Sequence, residues 1–249
     1  MDKKILITGS RGFIGTHLKN ELIQTETHQI FEYTRENTLE DIESCIEKID
    51  FIYHLAGEVN PKSDSASFIK GNIEITEQII DLLEKKKLQI PILLASSIHA
   101  KHPKNDYGIT KQKSEELILA YGNRHNTPVY IYRLPHLFGQ KCKPNYNSVI
   151  STWIYNSINN LEINVFDRNI KMHYSYVKDI AQEFAHCLES KAIPQGYLEP
   201  RIIYETSLGE VVDFIEEFKT NVNNQHYSIS NNEFKQKLFE TFEDYVKGV

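Results

Sequence analysis

The feature that most constrains the fold of this chain is a glycine-rich turn directly after an apolar strand at the extreme N-terminus. Residues 8–15 read Thr-Gly-Ser-Arg-Gly-Phe-Ile-Gly and follow the apolar run Ile5-Leu6-Ile7. The next residues have the apolar spacing of an amphipathic helix, with apolar positions at Phe13, Ile14, Leu18 and Leu22. A strand, a glycine turn and a helix in this order predict the first unit of a parallel α/β sheet that binds a dinucleotide at the turn.

Each glycine of the turn has its own steric role in this prediction. Gly9 allows the tight turn, Gly12 lets the backbone approach a pyrophosphate, and Gly15 lets the helix pack closely on the sheet. The spacing is GxxGxxG rather than the GxGxxG of the standard fingerprint, and the glycines alone are also compatible with a surface turn. The predicted cofactor-binding residues of the turn are Gly9, Arg11, Gly12, Phe13, Ile14 and Gly15.

The run Asp106-Tyr-Gly-Ile-Thr-Lys111 is the second informative motif. Tyr107 and Lys111 are four residues apart, so on a helix they share one face. Asp106 is the predicted N-cap of this helix, and Gly122 is its predicted C-terminal stop.

A hydroxyl at a strand end completes a set of groups suited to proton transfer. Ser97 ends the apolar run that begins at Ile92. A free tyrosine has a pKa of about 10, and a nearby lysine ammonium favours the phenolate and lowers that pKa. We therefore predict that Tyr107 exchanges a proton with the substrate, that Lys111 assists it and holds the nicotinamide ribose, and that Ser97 orients the substrate oxygen. The alternative is a partly buried tyrosine beside a solvated lysine.

Length and composition favour a globular protein with a substantial core. The chain has 249 residues and a net charge of -6, with 28 basic and 34 acidic residues intermixed, which argues against a nucleic-acid partner. The three cysteines have no disulfide or zinc spacing, and His99, His102 and His136 are interpreted as loop or packing residues rather than metal ligands. No apolar run is long enough for a membrane span or a signal peptide, so a cytoplasmic protein without a membrane partner is expected.

Strand and helix patterns alternate with short connections in the first part of the chain. This alternation predicts an α/β fold with a doubly wound parallel sheet. Beyond Gly139 it weakens, although a helix is predicted at 147–160 and an extended segment at 172–177. Capping boxes at Ser207–Glu210 and Ser230–Glu233 predict two further helices. The strands of the sheet are predicted at residues 4–8, 28–33, 50–55, 91–95 and 128–133.

Together these motifs resemble the extended, nucleotide-sugar-modifying branch of the short-chain dehydrogenase/reductase superfamily. The resemblance implies a Rossmann-like NADP-binding domain at residues 1–140. It also implies that residues 141–249 are mainly a small C-terminal substrate-binding lobe, with a part that returns to the main sheet. The matching elements are Thr8-Gly9-x-x-Gly12-x-x-Gly15, Asp50 before His54-Leu55-Ala56-Gly57, Asn72, Ser96-Ser97, Tyr107-x-x-x-Lys111, Arg133-x-Pro135-x-x-Phe138-Gly139 and Tyr176-Val177-x-Asp179.

Within that branch, residues 130–139 and 142–150 resemble the reductase domain of capsular polysaccharide enzymes that make UDP-N-acetyl-L-fucosamine precursors. Members of that family continue into a cupin domain that epimerises the sugar. The chain is therefore expected to be either a natural single-domain relative or part of a longer protein, and the cupin's activity is not carried over. His136 departs from the branch, which usually has Asn at this position, and the segment from Ser97 to Tyr107 is short.

The resemblance implies an NADPH-dependent reductase of a nucleotide-linked 4-keto-6-deoxy sugar, derived from a UDP-N-acetylhexosamine. The alternatives are a nucleotide-sugar 4-epimerase with retained NAD and a non-catalytic dinucleotide-sensing protein. Dehydratases usually carry Asp-Glu after the catalytic hydroxyl, where this chain has Ile98-His99, and sensing proteins commonly lose the Tyr or Lys. Family members often pair through the Tyr/Lys helix, which implies a homodimer.

The region after the second strand predicts a preference for NADPH. An NAD-specific site carries an acidic residue at the end of this strand, whereas this chain has Thr34 or Tyr33 near that position and Arg35 beyond it. Arg11 offers a second cation for a 2′-phosphate. Glu32 can also supply a carboxylate, and both arginines have an alternative interpretation as solvated surface residues. By resemblance, the cofactor is also expected to contact Leu55, Ala56, Gly57 and Asn72.

Three residues are predicted to contact the UDP-sugar substrate besides Ser97. Arg133 suits a phosphate because its guanidinium can donate two charge-assisted hydrogen bonds. Its alternative is an internal salt bridge at the end of the strand. Asn145 and Asn147 lie in the segment that leads into the substrate lobe, and their alternative role is to cap the helix that follows.

Overall fold

The structure, a computed structural model, describes residues 2–25, 28–146, 148–189, 195–223 and 231–248. The chain divides into two compact units. Unit 1 comprises Met1–Leu134 and Ile180–Arg201, and unit 2 comprises Pro135–Asp179 and Ile202–Val249. The chain thus leaves unit 1 after Leu134, rather than at residue 140, and re-enters it at Ile180.

The described residues contain strands and helices in alternation through most of the chain. The strands are β1 (Lys4–Thr8), β2 (Gln29–Tyr33), β3 (Phe51–His54), β4 (Ile92–Ser97), β5 (Val129–Leu134), β6 (His136–Phe138), β7 (Lys171–Tyr176), β8 (Gln195–Leu198) and β9 (Tyr204–Ser207). The helices are α1 (Phe13–Thr25), α2 (Leu39–Cys45), α3 (Ser65–Phe68), α4 (Ile75–Lys85), α5 (Asp106–His125), α6 (Val149–Ile158), α7 (Val177–His186), α8 (Leu208–Asn223) and α9 (Glu233–Lys247).

Unit 1 is built on a six-stranded parallel sheet with the order β2-β1-β3-β4-β5-β8. This confirms the predicted doubly wound sheet, and its five predicted strands agree with the observed bounds to within two residues. The order reverses between β1 and β3, where Thr8 lies opposite His54. Ligands of open α/β sheets bind at such a reversal, outside the carboxyl ends of the strands. The glycine turn follows β1 at this point.

The central strands are apolar on both faces because helices cover both sides of the sheet. Ile5, Ile52, Ile92 and Ile131 are fully buried, and helix residues such as Leu83 pack against several of these strands in one core cluster. This continuous apolar character explains why these strands were readable from the sequence.

The ends of α5 differ from the prediction. Asn105, not Asp106, is the N-cap, because its side-chain oxygen accepts a hydrogen bond from the Gly108 N–H at 2.9 Å. Gly122 does not end the helix, which continues to His125 and is followed by Asn126 in the left-handed conformation with φ of 49°. Gly122 instead lies against β5, where a Cβ atom would be 2.8 Å from a methyl group of Val129.

Gly122→Ala is therefore expected to destabilise unit 1. The added methyl group would overlap the stiff, buried Val129 side chain, and this overpacking outweighs the better helix propensity of alanine, for a net loss of about 1–2 kcal/mol. Chemical denaturation measures the free energy of unfolding. Asn123→Ala is the control, since Asn123 is exposed on the same turn. A G122A variant as stable as the parent would contradict this packing argument.

Unit 2 contains a three-stranded sheet with the order β6-β7-β9, in which β6 and β7 are parallel and β7 and β9 antiparallel. Its core is aromatic-rich, with Phe138, Trp153, Tyr174, Phe234 and Phe242 all buried. No helix in the described part of the chain is long and apolar enough to cross a membrane.

Two helices of unit 2 begin at side-chain caps. In the predicted capping box before α8, the Ser207 N–H donates to the Glu210 carboxylate at 2.9 Å and the Glu210 N–H donates to Ser207 Oγ at 3.2 Å, which confirms it. The second box starts at Ser230, which lies outside the described residues. Asn232 is the cap of α9, where it accepts from the Lys235 N–H at 3.0 Å.

Candidate active site

The glycine turn after β1 has the close packing that a dinucleotide cradle requires. Gly9 has a φ of +69°, and a Cβ there would lie 2.8 Å from the Ala56 backbone nitrogen. A Cβ on Gly15 would overlap the carbonyl oxygen of Gly9 and lie 2.8 Å from Ser10 Cα. The turn therefore admits no side chain at these positions, and it leads directly into the N-terminus of α1. Phe13 and Ile14, both half-buried, form the first turn of that helix.

The backbone after β3 lies beside this turn. The Ala56 N–H donates to Thr8 Oγ1 at 3.1 Å, and the Leu55 N–H donates to the Thr8 carbonyl oxygen at 3.2 Å. A Cβ on Gly57 would lie 2.8 Å from Asn72 Oδ1 and 3.7 Å from Lys111 Nζ. A side chain at Gly57 would thus collide with the Asn72 amide, next to the Lys111 ammonium. These contacts fit a nicotinamide dinucleotide that extends from the turn toward Lys111.

Asn72, next to Gly57, is buried and forms several hydrogen bonds. It lies in a π-helical segment, Ile69–Glu74, and its Oδ1 accepts from the Glu58 N–H at 2.9 Å. Its Nδ2 donates to Thr110 Oγ1 at 3.0 Å, and its carbonyl oxygen accepts from Ser114 Oγ at 2.8 Å. Asn72 thus ties its own segment to α5. Its predicted direct contact with the cofactor stays a prediction.

His54 joins the same network as a neutral imidazole. Its Nδ1 is 2.8 Å from Thr8 Oγ1, and its Nε2 is 2.9 Å from Thr76 Oγ1. Because Thr76 donates its proton to the Asn72 carbonyl oxygen at 2.6 Å, Nε2 carries the imidazole proton and Nδ1 accepts. Burial, and secondarily the charge of Lys111, lower the pKa of His54 to about 3.

The structure brings Ser97, Tyr107 and Lys111 together at the end of β4. The Ser97 side chain lies at the Tyr107 phenol, where it opposes the rise of the phenol's pKa, and its hydroxyl accepts from the His99 N–H at 3.2 Å. Lys111 lies one helical turn beyond Tyr107 and is buried, and its Nζ donates to the Ala95 carbonyl oxygen at 2.6 Å. A hydroxyl, a phenol and an ammonium thus converge from one strand end and one helix face.

The pKa of Tyr107 differs from the prediction. Burial raises it, and the Ser97 hydrogen bond opposes this rise. The expected lowering by Lys111 is not seen, because Lys111 is itself desolvated and turns its ammonium toward Ala95. Burial lowers the pKa of Lys111 to about 8, against the opposing effect of the Glu115 carboxylate. The phenol is therefore a protonated group at neutral pH, as a proton donor must be.

His99 is a site residue that sequence reasoning assigned to loop or packing roles. Its ring lies against Tyr107, with the ring centroids 5.9 Å apart, and its side chain is exposed. The signal in the sequence was its position two residues after Ser97 in a short connection.

The residues predicted to select the cofactor lie around the turn after β2, and both arginines have carboxylate partners. Arg11 pairs with Glu36 at 2.6 Å, and Arg35 pairs with Glu58 at 3.0 Å. Both arginine side chains are mostly exposed, at 66% and 79%. Thr34 anchors the turn, where its N–H and its hydroxyl both donate to Asn37 Oδ1, at 2.8 and 3.0 Å. Glu32 is turned toward α1, where it pairs with Lys19 at 3.0 Å.

Arg133 and Asn145, two of the predicted substrate-binding residues, lie in different units of the chain. Arg133 forms the internal salt bridge that was its alternative interpretation, with Nη2 at 2.7 Å from the buried Glu115 carboxylate. We therefore assign Arg133 to this pair and not to a substrate phosphate. Asn145 is exposed in unit 2, and its N–H donates to Thr152 Oγ1 at 2.9 Å. Asn147 lies outside the described residues, and the N-cap of α6 is Ser148.

Comparison with known proteins now defines the class. The sequence pattern of the NAD dependent epimerase/dehydratase family matches residues 5–198. The chain belongs to this family, which confirms the predicted membership of the extended short-chain dehydrogenase/reductases.

Two relatives cover most of the chain. The UDP-2-acetamido-2,6-beta-L-arabino-hexul-4-ose reductase of Pseudomonas aeruginosa is 32% identical over 216 residues, which are 87% of this chain and 58% of the relative. The crystal structure of the capsular polysaccharide assembling protein CapF from Staphylococcus aureus has 40% identity and a TM-score of 0.85, and the match covers 97% of this chain and 65% of CapF. The chain thus spans less than two thirds of either relative.

A more distant structure shares the fold over its whole length. The UDP-glucuronic acid 4-epimerase from Bacillus cereus, solved in complex with NAD, has a TM-score of 0.82 and 17% identity. The match covers 98% of this chain and 99% of the epimerase.

Proposed function

We propose that this chain is an NADPH-dependent reductase that reduces the 4-keto group of a UDP-linked, N-acetylated 6-deoxy sugar during the synthesis of a surface polysaccharide precursor. The observation that carries the proposal is the convergence of Ser97, Tyr107 and Lys111 beside the glycine turn. The similarity to the Pseudomonas aeruginosa 4-ulose reductase supports the substrate class, and the similarity to CapF supports the biosynthetic role.

The three side chains supply what reduction of a carbonyl requires. A nicotinamide dinucleotide, when bound, would supply the hydride for the keto carbon. Ser97 donates a hydrogen bond to the keto oxygen and places it beside the Tyr107 phenol. Tyr107 gives its proton to that oxygen as negative charge develops there, and the resulting phenolate recovers a proton from solvent. The Lys111 ammonium, on the next turn of α5, is proposed to hold the nicotinamide ribose.

The competing function is a 4-epimerase, which uses the same three side chains but keeps its NAD through the whole cycle. We expect the purified protein to reduce the 4-keto sugar nucleotide stoichiometrically with consumption of added NADPH. Mass spectrometry of the purified protein should find no tightly retained NAD. Retained NAD, together with interconversion of two 4-hydroxy sugars without net oxidation of NADPH, would instead establish the epimerase. Bound dinucleotide without any turnover would indicate the sensing protein.

The preference for NADPH follows from Arg11 and Arg35. The Arg11–Glu36 pair is exposed on both sides and is therefore weak, so a 2′-phosphate can replace the carboxylate. The Arg35 guanidinium is also exposed, although its partner Glu58 is largely buried, so it can turn toward the same phosphate. Arg11→Ala and Arg35→Ala are each expected to lower kcat/KM for NADPH about tenfold and to leave that for NADH unchanged. Arg124→Ala is the control, because Arg124 is an exposed arginine on α5 that is paired with Glu84 of α4. Equal or better use of NADH by the parent protein would contradict the assignment.

Two further parts of the proposal concern assembly and the sugar nucleotide. Unit 2 is proposed to contact the UDP-sugar, with the exposed Asn145 and the neighbouring Asn147 as contacts. The chain is proposed to form a homodimer, as the family resemblance implies. Light scattering of the purified protein tests the dimer, and substrate-bound crystals test the contacts in unit 2.

A further inference from the structure

A buried carboxylate lies one helical turn beyond Lys111 and has no role in the proposed reaction. Glu115, on α5, is 0% exposed. Arg133 on β5 donates to it from Nε, at 3.0 and 3.2 Å from the two carboxylate oxygens, and from Nη2 at 2.7 Å. The hydroxyl of Ser96, on β4, donates to it as well. One carboxylate thus connects the catalytic helix to two strands of the sheet.

Arg133 is itself held in place. Its guanidinium carbon lies 3.7 Å from the centre of the Tyr197 ring on β8, in cation–π contact. Its side chain is only 14% exposed. A buried charge is costly unless it is paired and hydrogen-bonded, and this cluster meets both conditions. The pair therefore has a fixed geometry, unlike the exposed ion pairs elsewhere on α5.

Lys111 lies next to this cluster on the same face of α5. It is four residues before Glu115, and its Nζ donates to the carbonyl oxygen of Ala95, the residue before Ser96. In the described part of the chain, no carboxylate other than Glu115 is buried, and burial alone favours a neutral lysine. The other titratable groups around Lys111 are Tyr107 on α5 and the neutral His54 on β3, and β4 presents a carbonyl oxygen.

We infer that Glu115 is a positioning residue for the catalytic pair: its carboxylate, clamped by Arg133 and Ser96, keeps the Lys111 ammonium charged and α5 in register on β4. The Arg133 guanidinium neutralises part of the Glu115 charge and so weakens the attraction of Glu115 for the Lys111 ammonium. The part of this inference that concerns catalysis rests on the proposed function, whereas the part that concerns the charge of Lys111 does not. Removal of the carboxylate and removal of the guanidinium must therefore affect Lys111 in opposite directions.

The test is an NMR titration of the Lys111 ammonium in protein labelled with ¹⁵N lysine, with the signal assigned by Lys111→Met. The parent midpoint is expected at about pH 8. E115Q is expected to lower this midpoint by about one pH unit or more, because the attractive charge is lost. R133M is expected to raise it, because Glu115 is left with Lys111 as its neighbouring cation. E116Q is the matched control, since Glu116 is an exposed neighbour paired with Lys113, and its midpoint should equal that of the parent.

E115Q leaves the Arg133 guanidinium buried without its carboxylate, so the double variant E115Q/R133M is titrated as well. Its cluster carries no charge, and its Lys111 midpoint should lie between those of E115Q and the parent. A midpoint in the double variant at or above that of the parent overturns the inference. Shifts of E115Q and R133M in the same direction also overturn it, because loss of packing alone would act alike in both.

The pH profile of kcat separates this inference from the proposed function. Turnover should fall as pH rises through the Lys111 pKa, because the charged ammonium is lost. The fall should move to lower pH in E115Q and to higher pH in R133M. If the NMR midpoints move as expected while the kcat profiles do not, the role of Lys111 in the proposed reaction fails and the electrostatic role of Glu115 stands. If the midpoints do not move, the role of Glu115 fails.

Discussion

Tyr107→Phe is expected to lower the turnover of the 4-keto sugar nucleotide by at least about 10²-fold, because the variant keeps the ring and loses the proton donor. Its stability should change little. The ring contacts with Phe68 and His99, whose centroids are 6.0 and 5.9 Å away, remain. Ser97 also keeps its hydrogen bond from the His99 N–H. Steady-state kinetics and thermal unfolding of the same preparations measure both effects.

A second tyrosine of the same helix gives the reciprocal control. The Tyr121 hydroxyl accepts from the Ile90 N–H at 2.9 Å and donates to the Ile90 carbonyl oxygen at 3.0 Å, away from the site. Tyr121→Phe should cost about 1–3 kcal/mol of stability, since a buried N–H loses its partner, and should leave turnover intact. Near-full activity of the Tyr107→Phe variant on its true substrate would refute the assignment of Tyr107 as the proton donor.

The sheet of unit 1 could be predicted because its strands are short apolar runs separated by helices. β8 was missed because its four residues, Gln-Gly-Tyr-Leu, have no apolar periodicity. It is a strand because it pairs with the edge of β5, a contact between residues more than 60 positions apart in the chain. β9 is also only four residues long, and it pairs with β7, which lies almost 30 residues earlier in the chain. Such strands depend on tertiary pairing and leave little local signal.

The positions of Ser97, Tyr107 and Lys111 could be predicted because their geometry is local. Helical spacing alone places Tyr107 and Lys111 on one face, and a strand end places Ser97 at the edge of the sheet. The pKa of Tyr107 and the ion-pair partner of Arg133 could not be predicted from local sequence in the same way. The pKa of Tyr107 depends on burial by the surrounding elements, and the partner of Arg133 depends on how α5 packs on β5. The prediction that Lys111 lowers the pKa of Tyr107 was wrong for this reason.

Helix ends show the same limit on a smaller scale. Asn105 and Asp106 are adjacent and are both good N-cap residues, so the sequence cannot rank them. In the fold, Asp106 accepts a hydrogen bond from the Ser65 hydroxyl, and Asn105 is left to cap α5. Gly122 was read as a helix stop because glycine is common there. Its actual constraint is the close approach of α5 to Val129, which only the packed structure shows.

The second large effect is expected from Gly15→Ala at the glycine turn. The added Cβ would overlap the carbonyl oxygen of Gly9, so either the turn opens or α1 moves away from the sheet. Overpacking of this kind costs about 1–3 kcal/mol, and a distorted cradle loses about tenfold to a hundredfold in dinucleotide affinity for that free energy. Calorimetric titration with NADPH measures the Kd, and denaturation measures the stability of the same variant.

Gly122→Ala separates loss of the cradle from general destabilisation. Both variants add one methyl group to a crowded glycine of unit 1, and both should unfold more easily than the parent. Gly122 lies against Val129, on the far part of α5 from Tyr107, so a Cβ there reaches no residue of the glycine turn. We therefore expect G122A to bind NADPH like the parent and G15A to bind it much more weakly. Equal losses of NADPH affinity in both variants would mean that protein stability, not the turn, controls binding. An NADPH affinity of G15A equal to that of the parent would show that the cofactor does not bind at this turn.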